Sequence, residues 1–272
     1  MEKESEGSRT FFHSHPIFTV PEFADFLDLR GSANPRTREA LLRYYRQQGA
    51  ILPIRRGVYC SVPRGTAPNE CPVDSDLLAA KLASDAVLAY HTALEAHGRS
   101  YSIQDRIVYL TLKYPTGRSF KFRGTEYRAI HPPTRLPRNQ PGVQLLDRSG
   151  QLVRVTTLER TLVDVLDRTG LSGGWEEVWR SLETIPYLDL DQVVRYALLL
   201  ANSTTVARVG FFLDQHRESL MVPESHLEKL RQHRPRNPKY MTGAQSRSGR
   251  LDATWNLIVP EQILGRSWEE PQ

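Results

Sequence analysis

Residues Asn34 to Val62, NPRTREALLRYYRQQGAILPIRRGVYCSV, constrain the fold more than any other stretch, because the period changes inside it. The first half has helical spacing. Leu41, Tyr44 and Tyr45 are expected to share one stripe, with Arg36, Arg43 and Arg46 on the opposite side and Glu39 among them. Asn34 suits an N-cap, Pro35 the first helical position, and Gly49 the C-terminal stop. After it, Ala50 to Ile54 and Val58 to Val62 can pair as strands across Arg55-Arg56-Gly57, and Pro53 assigns the first of them to an edge. From Asn34 to Arg64 there are seven arginines and one acidic residue. An arginine-faced helix followed by a hairpin with arginines at its tip is what a winged helix-turn-helix sets against DNA. The competing reading of the helix is an ordinary solvated face. The hairpin weighs against it, since folding a small turn does not call for two arginines.

Upstream, Thr19 and Glu22 have the spacing of a capping box, Pro21 fits the first turn, and Phe23, Phe26 and Leu27 give an apolar stripe to a helix from about Val20 to Leu29. Disorder is expected to about Gly7, and a short helix over 8–15. Residues 1–65 then read as helix, turn, helix, hairpin: a winged helix-turn-helix DNA-binding domain. Pro63 to Pro72 is dense in Pro and Gly, so 66–72 is expected to be a linker and 73–272 a C-terminal domain. In that domain 74–83 and 87–97 read as two helices. Arg106 to Leu112, Phe120 to Phe122, Tyr127 to Ile130 and Leu152 to Val155 read as short strands, and Trp255 to Val259 regains strand-like content. Helices are expected over 156–167, 174–182, 189–200, 204–216 and 223–231. The fold class is therefore α+β: a winged helix-turn-helix plus a larger domain with a small, mostly antiparallel sheet and a helical, bundle-like part.

The 272 residues, 39% hydrophobic and 25% charged, can bury a sizeable core. The net charge of +5 favours polyanionic partners, and it concentrates in two places. One is the stretch above. The other is Lys229 to Arg250, with seven Lys or Arg and no Asp or Glu. Its Lys229, Arg231, Arg234, Arg236 and Lys239 form a candidate nucleic-acid or toxin-related surface. From charge alone it fits an extended loop on phosphates, a solvated loop, or a surface competing for a partner's nucleic acid equally well. No run reaches membrane-span length and none has signal-peptide character, so a cytoplasmic protein is expected. Two cysteines, Cys60 and Cys71, are too few for a disulfide framework or a structural zinc site.

Catalytic signatures are weak. There is no glycine-rich phosphate loop and no serine elbow. Asp164 and Asp167, with Glu159 a turn earlier, could hold a divalent ion, or could pair with Arg160 and Arg168 as helix-surface residues. Asp74 and Asp76 have nucleotidyl-transfer spacing but sit where a helix start calls for caps. His91 and His97 are six apart, not the three or four of a helical ligand pair, and read as a partly buried packing histidine and a surface one. No enzyme activity, cofactor or metal is expected.

Several separated motifs occur in one order: Arg56 to Tyr59 (RGVY), Tyr90 to Gly98 (YHTALEAHG), Val155 to Asp167 (VTTLERTLVDVLD), Gly173 to Val178 (GGWEEV), Thr205 to Leu213 (TVARVGFFL) and Trp255 to Pro260 (WNLIVP). In these the chain resembles the AbiEi-type antitoxins, the antitoxin and transcriptional-regulator half of a bacterial type IV toxin–antitoxin (abortive infection) system. The resemblance runs over almost the whole length. It implies a winged helix-turn-helix that binds inverted repeats in double-stranded promoter DNA and represses its own operon. It also implies a C-terminal domain that counteracts a nucleotidyltransferase-like toxin, without a stable complex being required. On this chain the recognition helix would be Pro35 to Gln48. Arg36 and Arg38 would be placed for base edges, Arg43 and Arg46 for phosphates, and Arg55 and Arg56 for the backbone or minor groove. The long linker and the turn Leu29 to Asn34 depart from the pattern and bear on how deeply the helix inserts. Alternatives are a stand-alone regulator without a toxin, a nucleic-acid-processing enzyme whose carboxylates converge in a cleft, and a protein-interaction module.

Overall fold

The computed structural model describes residues 2–32, 34–137, 140–242 and 249–264, with side chains from residue 7 onward. The chain opens with α1 (Glu2–Ser14), β1 (Ile17–Thr19), α2 (Val20–Asp28), α3 (Pro35–Gln47), β2 (Ile51–Arg55) and β3 (Val58–Ser61). The strands form an antiparallel sheet in the order β1-β3-β2, so the strand bearing Pro53 is at an edge, as expected. Local signals set these boundaries. Glu22 N–H donates to Thr19 Oγ1 while Thr19 N–H donates to Glu22 Oε2 at 2.7 Å, which completes the capping box. Asn34 Oδ1 accepts from Arg36 N–H at 2.9 Å, with Pro35 in the first turn.

Two expectations for this region are corrected. The chain is helical from Glu2, not disordered to about Gly7, and α1 has a tertiary partner: the Phe11 ring centre lies 5.2 Å from Phe18, edge to face, and 5.3 Å from Phe23, tilted. The buried stripe of α3 is Leu42 and Tyr45, with Leu41 half-buried and Tyr44 54% exposed. Four residues before Leu42 and seven before Tyr45, Arg38 falls between the two on the helical wheel and is half-buried, whereas Arg36, Arg43 and Arg46 fall outside that stripe and are exposed. The core of this unit is Phe11, Phe18, Phe23, Leu27, Leu42, Tyr45 and Ile51.

The stretch expected as a linker is pinned to its surroundings. Cys60 and Cys71 are buried with their sulfurs 3.4 Å apart, and Arg123 donates to Cys71 O and, at 2.8 Å, to Pro68 O. Burial pushes the Cys60 thiol up to about 12, so it stays protonated at neutral pH. Lys81 pairs with Glu22, which binds the first unit to the helix that follows the linker. Burial would raise the Glu22 carboxyl, but hydrogen bonds from Lys81 and Thr19 outweigh it and hold the pKa below its usual range.

The second part is built on a six-stranded mixed sheet. In chain order come α4 (Ser75–Leu82), β4 (Val87–Leu88), α5 (His91–Ala96), β5 (Arg106–Leu110), β6 (Ser119–Phe122), β7 (Thr125–Ile130), β8 (Val143–Arg148) and β9 (Gln151–Thr156). The strand order is β6-β7-β5-β4-β9-β8. Pairs β7/β5 and β4/β9 are parallel and the other three antiparallel. The expected helix over 87–97 is thus two elements. Val87 and Leu88 are β-favouring, fully buried residues at the sheet centre, and the chain turns at Tyr90, whose φ is 58°. Side chains alternate across the sheet. Ile107, Tyr109 and Tyr127 face a core shared with α4 and strands β1, β2 and β3, while Val108, Leu110 and Ile130 face the helices.

Those helices are α6 (Leu158–Asp167), α7 (Trp175–Glu183), α8 (Leu190–Leu199), α9 (Ser203–Gln215) and α10 (Glu224–Arg231), each within two residues of its expected span. Strands β10 (Lys239–Tyr240), β11 (Arg250–Asp252) and β12 (Leu257–Val259) make a third sheet, ordered β10-β12-β11, before α11 (Glu261–Leu264). Gly210 on α9 lets this sheet approach, since a Cβ there would overlap the fully buried Trp255 ring. Among the described residues no helix is long and apolar enough to cross a membrane.

Candidate nucleic-acid interface

Helix α3 has one packed side and one open side. Arg36, Arg43 and Arg46 project from the open side, with Glu39 the one acidic residue among them, and Arg56 is exposed at the hairpin turn. Among the described residues, no carboxylate lies within 4.0 Å of the cationic groups of these four arginines. The remaining two arginines of the expected set lie elsewhere. Arg38 is half-buried on the packed side, with its Nε buried and unpartnered. Arg55 is half-buried against the six-stranded sheet. Its guanidinium lies 5.7 Å from the ring centres of both Tyr114 and Phe120, and its Nη2 is 3.5 Å from the Tyr114 hydroxyl. The β2–β3 hairpin therefore divides its two arginines, Arg56 outward and Arg55 onto the neighbouring sheet.

The second basic run is mixed. Arg231 pairs with Glu224 and Glu228 and lies 5.7 Å over the Trp255 ring. Arg234 donates to Thr254 O. Lys229, Arg236 and Lys239 are exposed. Part of this run is strand β10, paired to β12, so it is not wholly an extended loop. Residues 243–248, near its end, lie outside the described residues.

The candidate carboxylates do not converge. Asp74 caps α4, accepting from Leu77 N–H at 2.9 Å, and Arg148 of β8 reaches both Asp74 at 3.5 Å and Asp76 at 2.6 Å. Burial pushes Asp76 up to about 6, against the opposing effect of Arg148. Asp164 and Asp167 are on α6, across the sheet. Asp164 is fully buried, accepting from Arg160 Nε at 3.1 Å and from the Tyr196 hydroxyl at 2.8 Å. Asp167 accepts from Asn202 at 3.2 Å and from Thr205. Among the described residues no group of three or more His, Cys, Asp or Glu is arranged to hold a metal ion.

Sequence reasoning missed that the separated motifs meet. His91, read as partly buried, is wholly buried: its Nε2 is 3.0 Å from Glu177 Oε1, and its Nδ1 is 3.1 Å from Glu95 Oε1, off the line of a good hydrogen bond. Glu177 also accepts from Ser102 Oγ at 2.6 Å, Ser102 N–H at 3.0 Å and Ser181 Oγ at 3.0 Å. Gly173 makes room, since a Cβ there would lie 2.9 Å from Glu177 Cγ. Burial lowers the His91 pKa, but the nearby Glu95 and Glu177 carboxylates more than offset that, and the net shift is upward. Burial raises Glu177, and its hydrogen bonds from Ser102, His91 and Ser181 bring the net shift below the usual value. His97, read as a surface residue, is half-buried, with Nε2 2.7 Å from Thr156 O. The histidine, threonine and glycine-glycine motifs are thus one internal framework joining α5, α6 and α7. The exposed arginines lie apart from it.

No protein-family model matches the chain, and no curated protein matches it. Among solved structures, the crystal structure of the RV2827C protein from Mycobacterium tuberculosis is similar over 92% of this chain and 89% of that one, with a TM-score of 0.56 and 18% identity. At that identity the likeness shows the fold.

Proposed function

We propose that the chain is a DNA-binding transcriptional autorepressor whose residues 1–65 act as a winged helix-turn-helix. One observation carries the reading: Arg36, Arg43 and Arg46 form an exposed row on α3, and Arg56 is likewise exposed at the hairpin turn, all without a pairing carboxylate among the described residues. Unpaired guanidiniums on a helix as long as α3 suit a duplex groove, where phosphates supply the missing charge and base edges accept from Arg36 at the helix start. Arg38 and Arg55 drop out of the primary DNA-facing set, because packing engages them. The antitoxin role against a nucleotidyltransferase-like toxin rests on the motif resemblance. Its test is rescue of growth when the chain is co-expressed with such a toxin from a neighbouring reading frame.

The DNA reading is tested with the duplex that precedes the chain's own coding sequence. Replacing Arg36, Arg43 and Arg46 together by Ala lowers the salt slope of log K by about 0.9 for each phosphate that an arginine no longer neutralises. Arg36→Ala alone relaxes sequence preference by roughly 1–3 kcal/mol if its base contact is bidentate. An unchanged slope and unchanged preference remove α3 from any interface. The enzyme alternative has no support in the carboxylates named above, which are engaged separately on two sides of the sheet.

A further inference from the structure

We infer that the β6 edge of the six-stranded sheet is a second duplex-backbone contact, continuous with the wing and centred on Arg118 and Lys113. This rests on the DNA-binding reading and adds to it a surface from the C-terminal part.

Tyr114 lies against the β2–β3 hairpin. Arg55 from the wing approaches this ring at 5.7 Å, and Arg118 from its own loop lies 4.6 Å over it. Two guanidiniums therefore share one aromatic ring. Arg118, Lys113 and Arg56 are exposed, and among the described residues no carboxylate pairs with any of them. The nearby carboxylate, Asp85, is occupied, accepting from Thr111 Oγ1 and from Leu112 N–H at 2.8 Å. Packing explains Arg55, which joins the wing to the sheet. It leaves Arg118 as a second, outward cation on the same ring, held there by the ring face and without a carboxylate partner among the described residues.

The loop is built to hold this arrangement. His131 Nε2 is 2.8 Å from Tyr114 O, and His131 N–H donates to Thr116 Oγ1 at 3.0 Å. Gly117 N–H donates to Ala129 O at 2.8 Å, and Ala129 N–H to Arg118 O at 2.9 Å. Stacked guanidiniums on a fixed loop lose little rotamer freedom when they meet phosphate. The wing of such a domain lies along the duplex backbone, so cations beside its tip face the next phosphates.

The test uses the full chain and a 30-base-pair duplex of arbitrary sequence, with binding followed by fluorescence anisotropy across a KCl series. Lys113→Ala with Arg118→Ala is expected to lower the salt slope by about 1.8 and the affinity at 0.1 M salt by roughly 60-fold. Arg118→Lys keeps the charge and most of the slope. Urea midpoints of these exposed variants stay at the wild-type value. If the double variant keeps the wild-type slope while Arg43→Ala lowers it, the sheet edge is not a contact and the α3 reading stands. If neither lowers it, the DNA reading fails first.

Discussion

Asp164 and Arg160 are each only 1% exposed, and the consequences of separating them follow from that burial. Asp164 accepts from Arg160 and Tyr196, while Arg160 Nη1 also donates to Pro141 O at 3.0 Å. Burial raises the Asp164 pKa more than Arg160 and Tyr196 lower it. The pair therefore stabilises the fold little, yet each member depends on the other. Asp164→Asn strands a buried guanidinium that cannot neutralise itself, and costs about 3–5 kcal/mol. With a urea slope of about 3 kcal/mol/M, the unfolding midpoint falls by about 1–1.7 M. Arg160→Met behaves differently, because the stranded carboxyl can take a proton. Its folded pKa rises further above the unfolded value, so the folded state binds more protons and the deficit shrinks as pH falls. The midpoint loss of Arg160→Met is thus smaller at pH 5 than at pH 8, whereas Asp164→Asn, with no carboxyl left to take up a proton, does not recover as the pH falls. Replacing Arg160 by Met, Asp164 by Leu and Tyr196 by Phe together removes every stranded group except the Pro141 carbonyl, and stays within about 1–2 kcal/mol of wild type. A cost under 1 kcal/mol for Asp164→Asn, or a triple variant as unstable as the single one, refutes this account.

Three further outcomes are expected beside the two DNA-binding tests above. The raised His91 pKa means its contribution is full below its ordinary value of 6.5 and is lost as pH climbs through the folded value; His91→Gln removes that alkaline decline, and parallel urea-midpoint profiles would disprove it. Glu177, with its pKa depressed, contributes above its ordinary value of 4.5 and loses that contribution as pH falls through the folded value, so Glu177→Gln flattens the acid side of the same profile. Gly210→Ala overpacks Trp255, whose Nε1 donates to Asp214 at 3.1 Å, and lowers stability by about 1–3 kcal/mol; Ser219→Ala, on an exposed position, is the control and leaves the midpoint unchanged.

What the sequence revealed depended on how local each signal was. Thr19, Glu22, Asn34 and Pro35 act on backbone groups within three residues, so the starts of α2 and α3 could be read directly. The α6 to α10 series was legible for the same reason, with apolar positions at helical spacing between caps such as Thr157, Asp189 and Asn202. Val87 and Leu88 were misread because two buried residues carry no period, and only their pairing with Tyr109, Leu110 and Val155 makes them a strand. Strand β8 escaped notice because its exposed Leu145 breaks the apolar–polar alternation. Arg38 and Arg55 look like their neighbours in sequence. Their different positions come from the Leu42–Tyr45 side of α3 and from Tyr114, fifty-nine residues beyond Arg55. The meeting of His91 with Glu177 spans eighty-six residues and leaves no local mark.

These long-range contacts also bear on how a duplex would be held. A free seven-residue linker over 66–72 would let the wing and the sheet search many relative positions, and each bound position would lose that freedom. Instead Glu22 and Lys81, and Arg55 and Tyr114, fasten the first unit to the second at two places, while Cys60 pins the linker itself at Cys71. Gln151 adds a third, with Nε2 3.3 Å from both Ser14 O and Ile17 O. On the proposed reading, α3 entering a groove would bring Arg118 and Lys113 with it, because these contacts fix them to the first unit. Their contacts then form at high effective concentration and without a separate ordering cost. Loosening the junction should therefore weaken DNA binding although no phosphate-contacting charge is removed. Tyr114→Ala does this: it is expected to lower affinity at every salt concentration while reducing the salt slope less than Lys113→Ala with Arg118→Ala does. A Tyr114→Ala variant with wild-type affinity would mean that the stacked ring positions nothing that the duplex uses.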